Sequence, residues 1–171
     1  MVTGPYRVHL HPDRAGCKRL QLGALLAGRL VSYGLTVAIF GRGTTSGPRV
    51  IAGSLPAEPY TGRRIEFRKA AANKVQVDHL YPLARAWDMG AAHWPLRRRI
   101  DFANDQAANL LAVDGPANAS KNDSGPGEWM PLNRNYRCTY VLRYLQVARK
   151  YVLPITANDR DAAQAMTRSC A

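Results

Sequence analysis

The fold of this chain is decided by two stretches, Val75-Gln-Val-Asp-His79 and Asn109-Leu-Leu-Ala-Val-Asp-Gly-Pro-Ala-Asn118-Ala-Ser-Lys121. The first predicts a short strand, and Asn109–Val113 predicts a second one because it is a short apolar run followed by a turn signal, Asp114-Gly115. A helix over residues 117–122 would follow. The order strand, loop, strand, helix predicts a ββα unit within an α+β fold.

The end of the first strand carries a carboxylate beside an imidazole. Neighbouring residues of a strand point to opposite faces, so Asp78 could bind a metal while His79 faces a water molecule. Asn118 offers an amide oxygen that could complete a hard, oxygen-rich site, which suits Mg²⁺ or another divalent cation such as Mn²⁺. Phosphodiester hydrolysis needs this combination of a cation and a base whose pKa is near neutral.

The two stretches resemble the HNH endonucleases, which are also called ββα-metal nucleases. They are similar in particular to an actinobacterial and phage group with the pattern DH…NDxxNLxAVDGxxNxxKxD…W…P…YRC. The matching positions are Pro59–Gly62, Val75–His79, Leu83, Ala86, Trp87, Gly90, Ala91, Trp94, Phe102–Asp105, Asn109–Gly115, Asn118, Lys121, Asp123, Trp129, Pro131 and Tyr136–Cys138. Where the family often has Lys-Gly-Asp, this chain has Lys121-Asn-Asp123.

The resemblance implies a role for each of these polar residues. His79 would be the general base, and Asp78 and Asn118 would bind one divalent cation, Mg²⁺ or Mn²⁺. Asn109 would position His79 or its loop by hydrogen bonding. Lys121 would either contact phosphate or lie exposed. The implied activity is hydrolysis of DNA, by nicking or by double-strand cleavage. The alternative is a basic nucleic-acid-binding domain that retains the HNH fold but has no catalytic activity.

The charge of the chain favours a polyanion partner. The formal net charge is +12 over 171 residues, and the basic residues are spread along the sequence. We expect DNA to bind through its phosphates, largely without sequence preference, and the sequence leaves open whether RNA also binds. The cluster Arg97-Arg98-Arg99 is either a phosphate contact or a solvated helix face. We expect no integral membrane partner, and the sequence leaves the oligomeric state open.

The first 47 residues predict a separate N-terminal segment, and residues 48–171 predict the nuclease domain. The apolar run Leu20–Phe40 contains Arg29, which makes a membrane-spanning helix costly by about 3 kcal/mol. An ordinary helix over Lys18–Tyr33 and a signal peptide are the two remaining interpretations.

Further elements follow from the patterns around the ββα unit. Arg49–Ser54 and Arg63–Arg68 predict strands, and the second of them could pair with Val75–His79. Pro82 predicts the start of a helix, Tyr136–Tyr151 a long helix ended by Pro154, and residues 161–166 part of a final helix. We expect Trp87 and Trp94 to belong to the core.

The three cysteines, Cys17, Cys138 and Cys170, form no Cys-x-x-Cys motif and therefore do not support a zinc ribbon. Cys138 and Cys170 match family positions, so the resemblance makes a bridge between the last two helices plausible. The alternative is two buried thiols. Reduced thiols would favour the cytoplasm, whereas a bridge together with a signal peptide would indicate secretion.

Overall fold

A computed structural model describes residues 44–46 and 49–170. The helix predicted over Lys18–Tyr33, and the signal peptide that is its alternative, lie outside the described residues. No helix in the described part of the chain is long and apolar enough to span a bilayer.

The α+β prediction is confirmed. In chain order, the strands and α-helices of the described residues are β1 (Thr44–Ser46), β2 (Arg49–Leu55), β3 (Ile65–Arg68), β4 (Val75–His79), α1 (Leu83–Asp88), α2 (Leu96–Ala103), β5 (Leu110–Asp114), α3 (Gly115–Lys121), α4 (Arg137–Tyr151) and α5 (Ala157–Ser169). Short 3₁₀ turns cover Lys69–Lys74, Ala91–His93 and Arg134–Tyr136.

The strands form two separate antiparallel sheets, β1-β2-β3 and β4-β5. In the second sheet Val75 pairs with Asp114, and His79 pairs with Leu110. The pairing of Arg63–Arg68 with Val75–His79 that the sequence suggested is not formed, because β3 pairs with β2 instead. The residues between β3 and β4 form an irregular 3₁₀ turn that connects the two sheets. A tight hairpin at this place would have reversed the chain and paired β3 with β4.

Helix α3 follows β5 without a loop. The carboxylate of Asp114 accepts a hydrogen bond of 2.8 Å from the backbone N–H of Ala117 and so caps the helix N-terminus. A Cβ atom on Gly115 would lie 2.0 Å from the carbonyl oxygen of Asn73, so this close approach requires glycine. The pair Asp114-Gly115 therefore starts the helix two residues earlier than predicted.

The described core contains two aromatic clusters. The first joins α1, α2 and α4 around Tyr81, Phe102 and Tyr144. The second lies around Tyr60, Leu80, Val113, Tyr140 and Val141. Trp87 and Trp94 are both half-buried, and Trp94 packs against the first cluster. Val113 of β5 belongs to the second cluster and Ala117 of α3 packs against it, so the ββα unit is anchored in that cluster.

A disulfide bond connects the two C-terminal helices, from Cys138 in the first turn of α4 to Cys170 at the end of α5, with a Cα–Cα distance of 5.9 Å. The bridge that the resemblance suggested is therefore formed. The two cysteines are 32 residues apart in sequence.

Replacing both Cys138 and Cys170 with serine is expected to lower the free energy of unfolding by roughly 3–4 kcal/mol, because the bridge restricts the unfolded chain. Urea unfolding of the parent and the double variant under oxidising conditions measures this difference. The prediction would be contradicted if the parent and the double variant unfolded at the same urea concentration while the intact mass of the parent showed that its disulfide bond was formed.

Candidate active site

A cavity of about 340 Å³ opens where β4, the start of α1 and α3 meet. Among the described residues, the polar lining consists of Asp78, His79, Asn118, Asn122 and Asp123, and the other lining residues are apolar. The structure therefore brings three residues of the sequence prediction, Asp78, His79 and Asn118, to one cavity. Asn109 and Lys121 lie behind its wall.

The ring of His79 is held in one tautomer. Its Nε2 lies 2.9 Å from the carbonyl oxygen of Ala103, at the end of α2. A carbonyl oxygen only accepts, so Nε2 carries the proton and Nδ1 keeps its lone pair. Burial lowers the pKa of His79 below its ordinary value, and the hydrogen bond to Ala103 opposes this shift. The ring is therefore a neutral base at neutral pH.

Asp78 is buried and its two carboxylate oxygens have different partners. Oδ2 accepts a hydrogen bond from the hydroxyl of Tyr60. Oδ1 accepts one from the ammonium group of Lys121 at 2.9 Å. These two bonds fix the carboxylate at the cavity wall and use about half of its lone-pair sites.

Lys121 is completely buried, which differs from the expectation that it contacts phosphate or lies exposed. Besides Asp78, its ammonium group donates to the carbonyl oxygen of His79 at 2.9 Å. Burial lowers the pKa of Lys121, while the carboxylate of Asp78 raises it. Lys121 on α3 thus fixes the end of β4 through these hydrogen bonds, and a phosphate has no access to its ammonium group.

Tyr60 is a site residue that sequence reasoning missed. The carboxylate of Glu58 accepts hydrogen bonds from the backbone N–H groups of Tyr60 and Thr61 at 2.8 and 2.7 Å, which shapes the turn that presents the tyrosine. The ring of Tyr60 packs edge-on against Trp129 and Tyr140. The match of Pro59–Gly62 to the family pattern is the signal that could have found it.

Asn109 fastens the backbone directly after His79. Its Oδ1 accepts from the N–H of Tyr81 at 2.9 Å, and its own carbonyl oxygen accepts from the N–H of Leu80 at 2.8 Å. The side chain is fully buried. Asn109 therefore positions the loop that leaves β4 and makes no contact with the cavity.

Asn118 reaches across from α3 to β4, where its Nδ2 donates to the side-chain oxygen of Gln76 at 3.0 Å. This bond turns the amide so that, in the described part of the chain, no hydrogen bond ends on Oδ1. Asp123 accepts a hydrogen bond from the amide of Asn122 at 3.1 Å. Within the described residues, no group of three or more His, Cys, Asp or Glu side chains could hold a metal ion. Any cation would therefore need amide oxygens and water as well.

The arginines of α2 do not line the cavity. Arg97 is exposed and pairs with Asp101 one turn along the helix. Arg98 lies 4.3 Å from the ring centre of Trp94 and donates to the carbonyl oxygen of Tyr151. Arg99 lies 5.5 Å from the ring centre of Trp87. Arg98 and Arg99 thus contact aromatic rings, whereas Arg97 pairs only within α2 among the described residues, with its side chain 85% exposed.

Arg85 of α1 is a second residue that the sequence did not reveal. It is fully buried, and its guanidinium group donates to the carboxylates of Asp159 and Glu128 and to the carbonyl oxygen of Asp123. Tyr144 donates to the same carboxylate of Asp159. Arg85 therefore ties the loop that carries the cavity residue Asp123 to the last helix.

Comparison with known families gives a match over residues 37–164 to the family described as GmrSD restriction endonucleases, C-terminal domain. The chain is also 39% identical over 101 residues to a protein of Arthroderma benhamiae described as "Uncharacterized secreted protein". That match covers 58% of this chain and 50% of the relative, so the chain spans about half of the relative's length. No solved structure matches the chain. Because the family match covers most of its length, the chain belongs to the C-terminal domain family of the GmrSD restriction endonucleases, a nuclease family.

Proposed function

We propose that this chain is an HNH-type endonuclease that hydrolyses DNA phosphodiester bonds with a divalent cation. The observation that carries the proposal is the environment of His79. A neutral imidazole with a fixed tautomer lines an open cavity beside a carboxylate and an amide. Membership in a nuclease family supports DNA as the substrate.

The base step follows from the geometry of the His79 ring. Nδ1 takes a proton from the water molecule that attacks phosphorus, while Nε2–H stays bonded to the carbonyl oxygen of Ala103. That carbonyl holds the ring in place and stabilises the imidazolium that forms. Asn109 keeps the following backbone rigid, so the ring does not need to reorganise during the reaction.

The donor set fits a hard cation. The lone pairs of Asp78 that remain after its two hydrogen bonds, together with Oδ1 of Asn118, would hold Mg²⁺ or Mn²⁺. A cavity of this size leaves room for the water ligands that Mg²⁺ retains. When bound, the cation would stabilise charge on the phosphate and on the leaving oxygen.

The basic surface supports largely sequence-independent binding. The net charge of +12 favours phosphate contacts, and each contact releases condensed counterions. Exposed basic side chains on several elements, such as Arg64, Arg68 and Arg97, could supply them.

Supercoiled plasmid incubated with the protein and Mg²⁺ or Mn²⁺ tests the proposal, with EDTA as the control and a structured RNA of similar length in parallel. We expect nicked or linear plasmid only with the cation. Binding of plasmid by folded protein without any cleavage in either cation would favour the non-catalytic binding domain. Preferential cleavage of the RNA would replace DNA as the substrate.

Replacing Asn118 with alanine is expected to raise the cation concentration for half-maximal nicking by about tenfold or more, because an oxygen ligand is lost. Asp78→Asn should act in the same direction, since it removes the ligand's charge. The matched control is Asn135→Ala, at an exposed position away from the cavity. Cation titrations of nicking that superimpose for Asn118→Ala and the parent would remove Asn118 from the ligand set.

A further inference from the structure

A positive charge lies directly behind the cavity wall. The ammonium group of Lys121 lies 2.9 Å from the carboxylate of Asp78, and both side chains are buried. Among the described residues, the other carboxylate that lines the cavity is Asp123. Over these described groups, two carboxylates and one ammonium give the cavity wall and the lysine behind it a net charge of about −1, which attracts a dication only weakly.

Lys121 cannot move away easily when a cation arrives. Its ammonium group donates both to Asp78 and to the carbonyl oxygen of His79, and its side chain has no exposed surface. Breaking these bonds would leave buried polar groups unpaired, which is costly. The positive charge therefore stays next to the carboxylate that would bind the cation.

A dication at this wall would leave the site with a net positive charge. A phosphodiester is the anion that would neutralise it, and in an endonuclease it is supplied by the substrate. We propose that Lys121 keeps the cation affinity of the unliganded site low, so that the cation and a nucleic-acid phosphate bind cooperatively. This inference rests on the proposed function, because it takes Asp78 and Asn118 as the cation ligands.

Cooperativity of this kind is reciprocal. If the phosphate strengthens cation binding by a given factor, the cation strengthens binding of the nucleic acid by the same factor. The protein without nucleic acid would then carry little cation at concentrations that saturate the complex.

The first test is calorimetric titration of Mn²⁺ into the protein without nucleic acid. Lys121→Met removes the charge but keeps most of the side-chain length, and we expect it to bind Mn²⁺ about tenfold more tightly or better. A unit charge within a few ångströms of a dication is worth about that factor even with the screening of bulk water.

Lys150→Met is the matched control, because it also removes one positive charge and one lysine–aspartate pair, and because the side chain of Lys150 is about half exposed. We expect its Mn²⁺ affinity to stay within about twofold of the parent, since exposed charges are well screened. Equal affinities of the parent and a folded Lys121→Met protein, or equal gains in both variants, would overturn the proposal.

The second test leaves the ion pair intact and does not depend on the folding of Lys121→Met. Mn²⁺ is titrated into His79→Ala protein with and without a saturating DNA duplex, and a titration into duplex alone is subtracted. We expect the duplex to lower the Kd for Mn²⁺ by about tenfold or more. The same Kd with and without duplex would overturn cooperativity.

The two proposals fail in different ways. Cation-dependent plasmid cleavage by the parent, combined with a duplex-independent Kd for Mn²⁺, would overturn this inference and keep the proposed nuclease. If the protein neither binds Mn²⁺ in the presence of duplex nor cleaves plasmid, both the proposed nuclease and this inference are overturned.

Discussion

Replacing His79 with alanine is expected to slow plasmid cleavage by at least about a hundredfold, because a positioned general base contributes roughly 10²- to 10⁴-fold to a rate. Binding of DNA, measured in EDTA by fluorescence anisotropy, should remain close to that of the parent. The basic surface is unchanged by the substitution, and His79 itself is neutral. The rate of nicking at saturating cation and DNA is the quantity to compare.

His93→Ala is the matched control for this prediction. His93 is exposed on the 3₁₀ turn after α1 and does not line the cavity. Its replacement should leave the nicking rate unchanged. If His79→Ala protein nicks plasmid at the parent's rate, His79 is not the base, and the assignment of the cavity as the active site fails with it.

Replacing Arg85 with methionine is expected to lower the free energy of unfolding by about 3–5 kcal/mol, since it strands a buried carboxylate. Asp159 has no exposed side-chain surface and would keep only the hydrogen bonds from Tyr144 and from the backbone. The loss should appear as a fall in Tm of roughly 10 °C or more. Thermal unfolding followed by circular dichroism measures it.

Arg97→Met provides the comparison, because Arg97 also pairs with an aspartate but lies on the surface with its side chain 85% exposed. Exposed pairs of this kind contribute less than about 1 kcal/mol. A similar fall in Tm for both variants would mean that burial does not determine the contribution of Arg85.

The ββα unit could be predicted from the sequence because its signals are local. The apolar run of β5 is followed directly by Asp114, which caps α3, and by Gly115, which the backbone of Asn73 approaches closely. Asp78 and His79 then lie on the strand that pairs with β5, and Asn118 lies on the helix that follows β5 directly.

The environment of Asp78 could not be predicted in the same way. Lysine and arginine are usually exposed, so their burial depends on partners that are distant in sequence. Lys121 can be buried because Asp78 and the carbonyl oxygen of His79 accept hydrogen bonds from its ammonium group. Arg85 can be buried because the carboxylate of Asp159 accepts one from its guanidinium group. The pairing of β3 with β2 likewise depends on the path of an irregular turn that carries no clear pattern.

The pairing of β4 with β5 also has a consequence for how the protein folds. His79 lies opposite Leu110, and the segment between them contains both α1 and α2. Closing this loop costs chain entropy before the strand pair gains any hydrogen bonds, so we expect this non-local pair to form late in folding. Asp78 and His79 stand on this strand pair, and Asn118 stands on α3, which begins where β5 ends. A nascent or partly unfolded chain would therefore have no working site, and protection of the β4 and β5 amides against hydrogen exchange should be lost only with global unfolding.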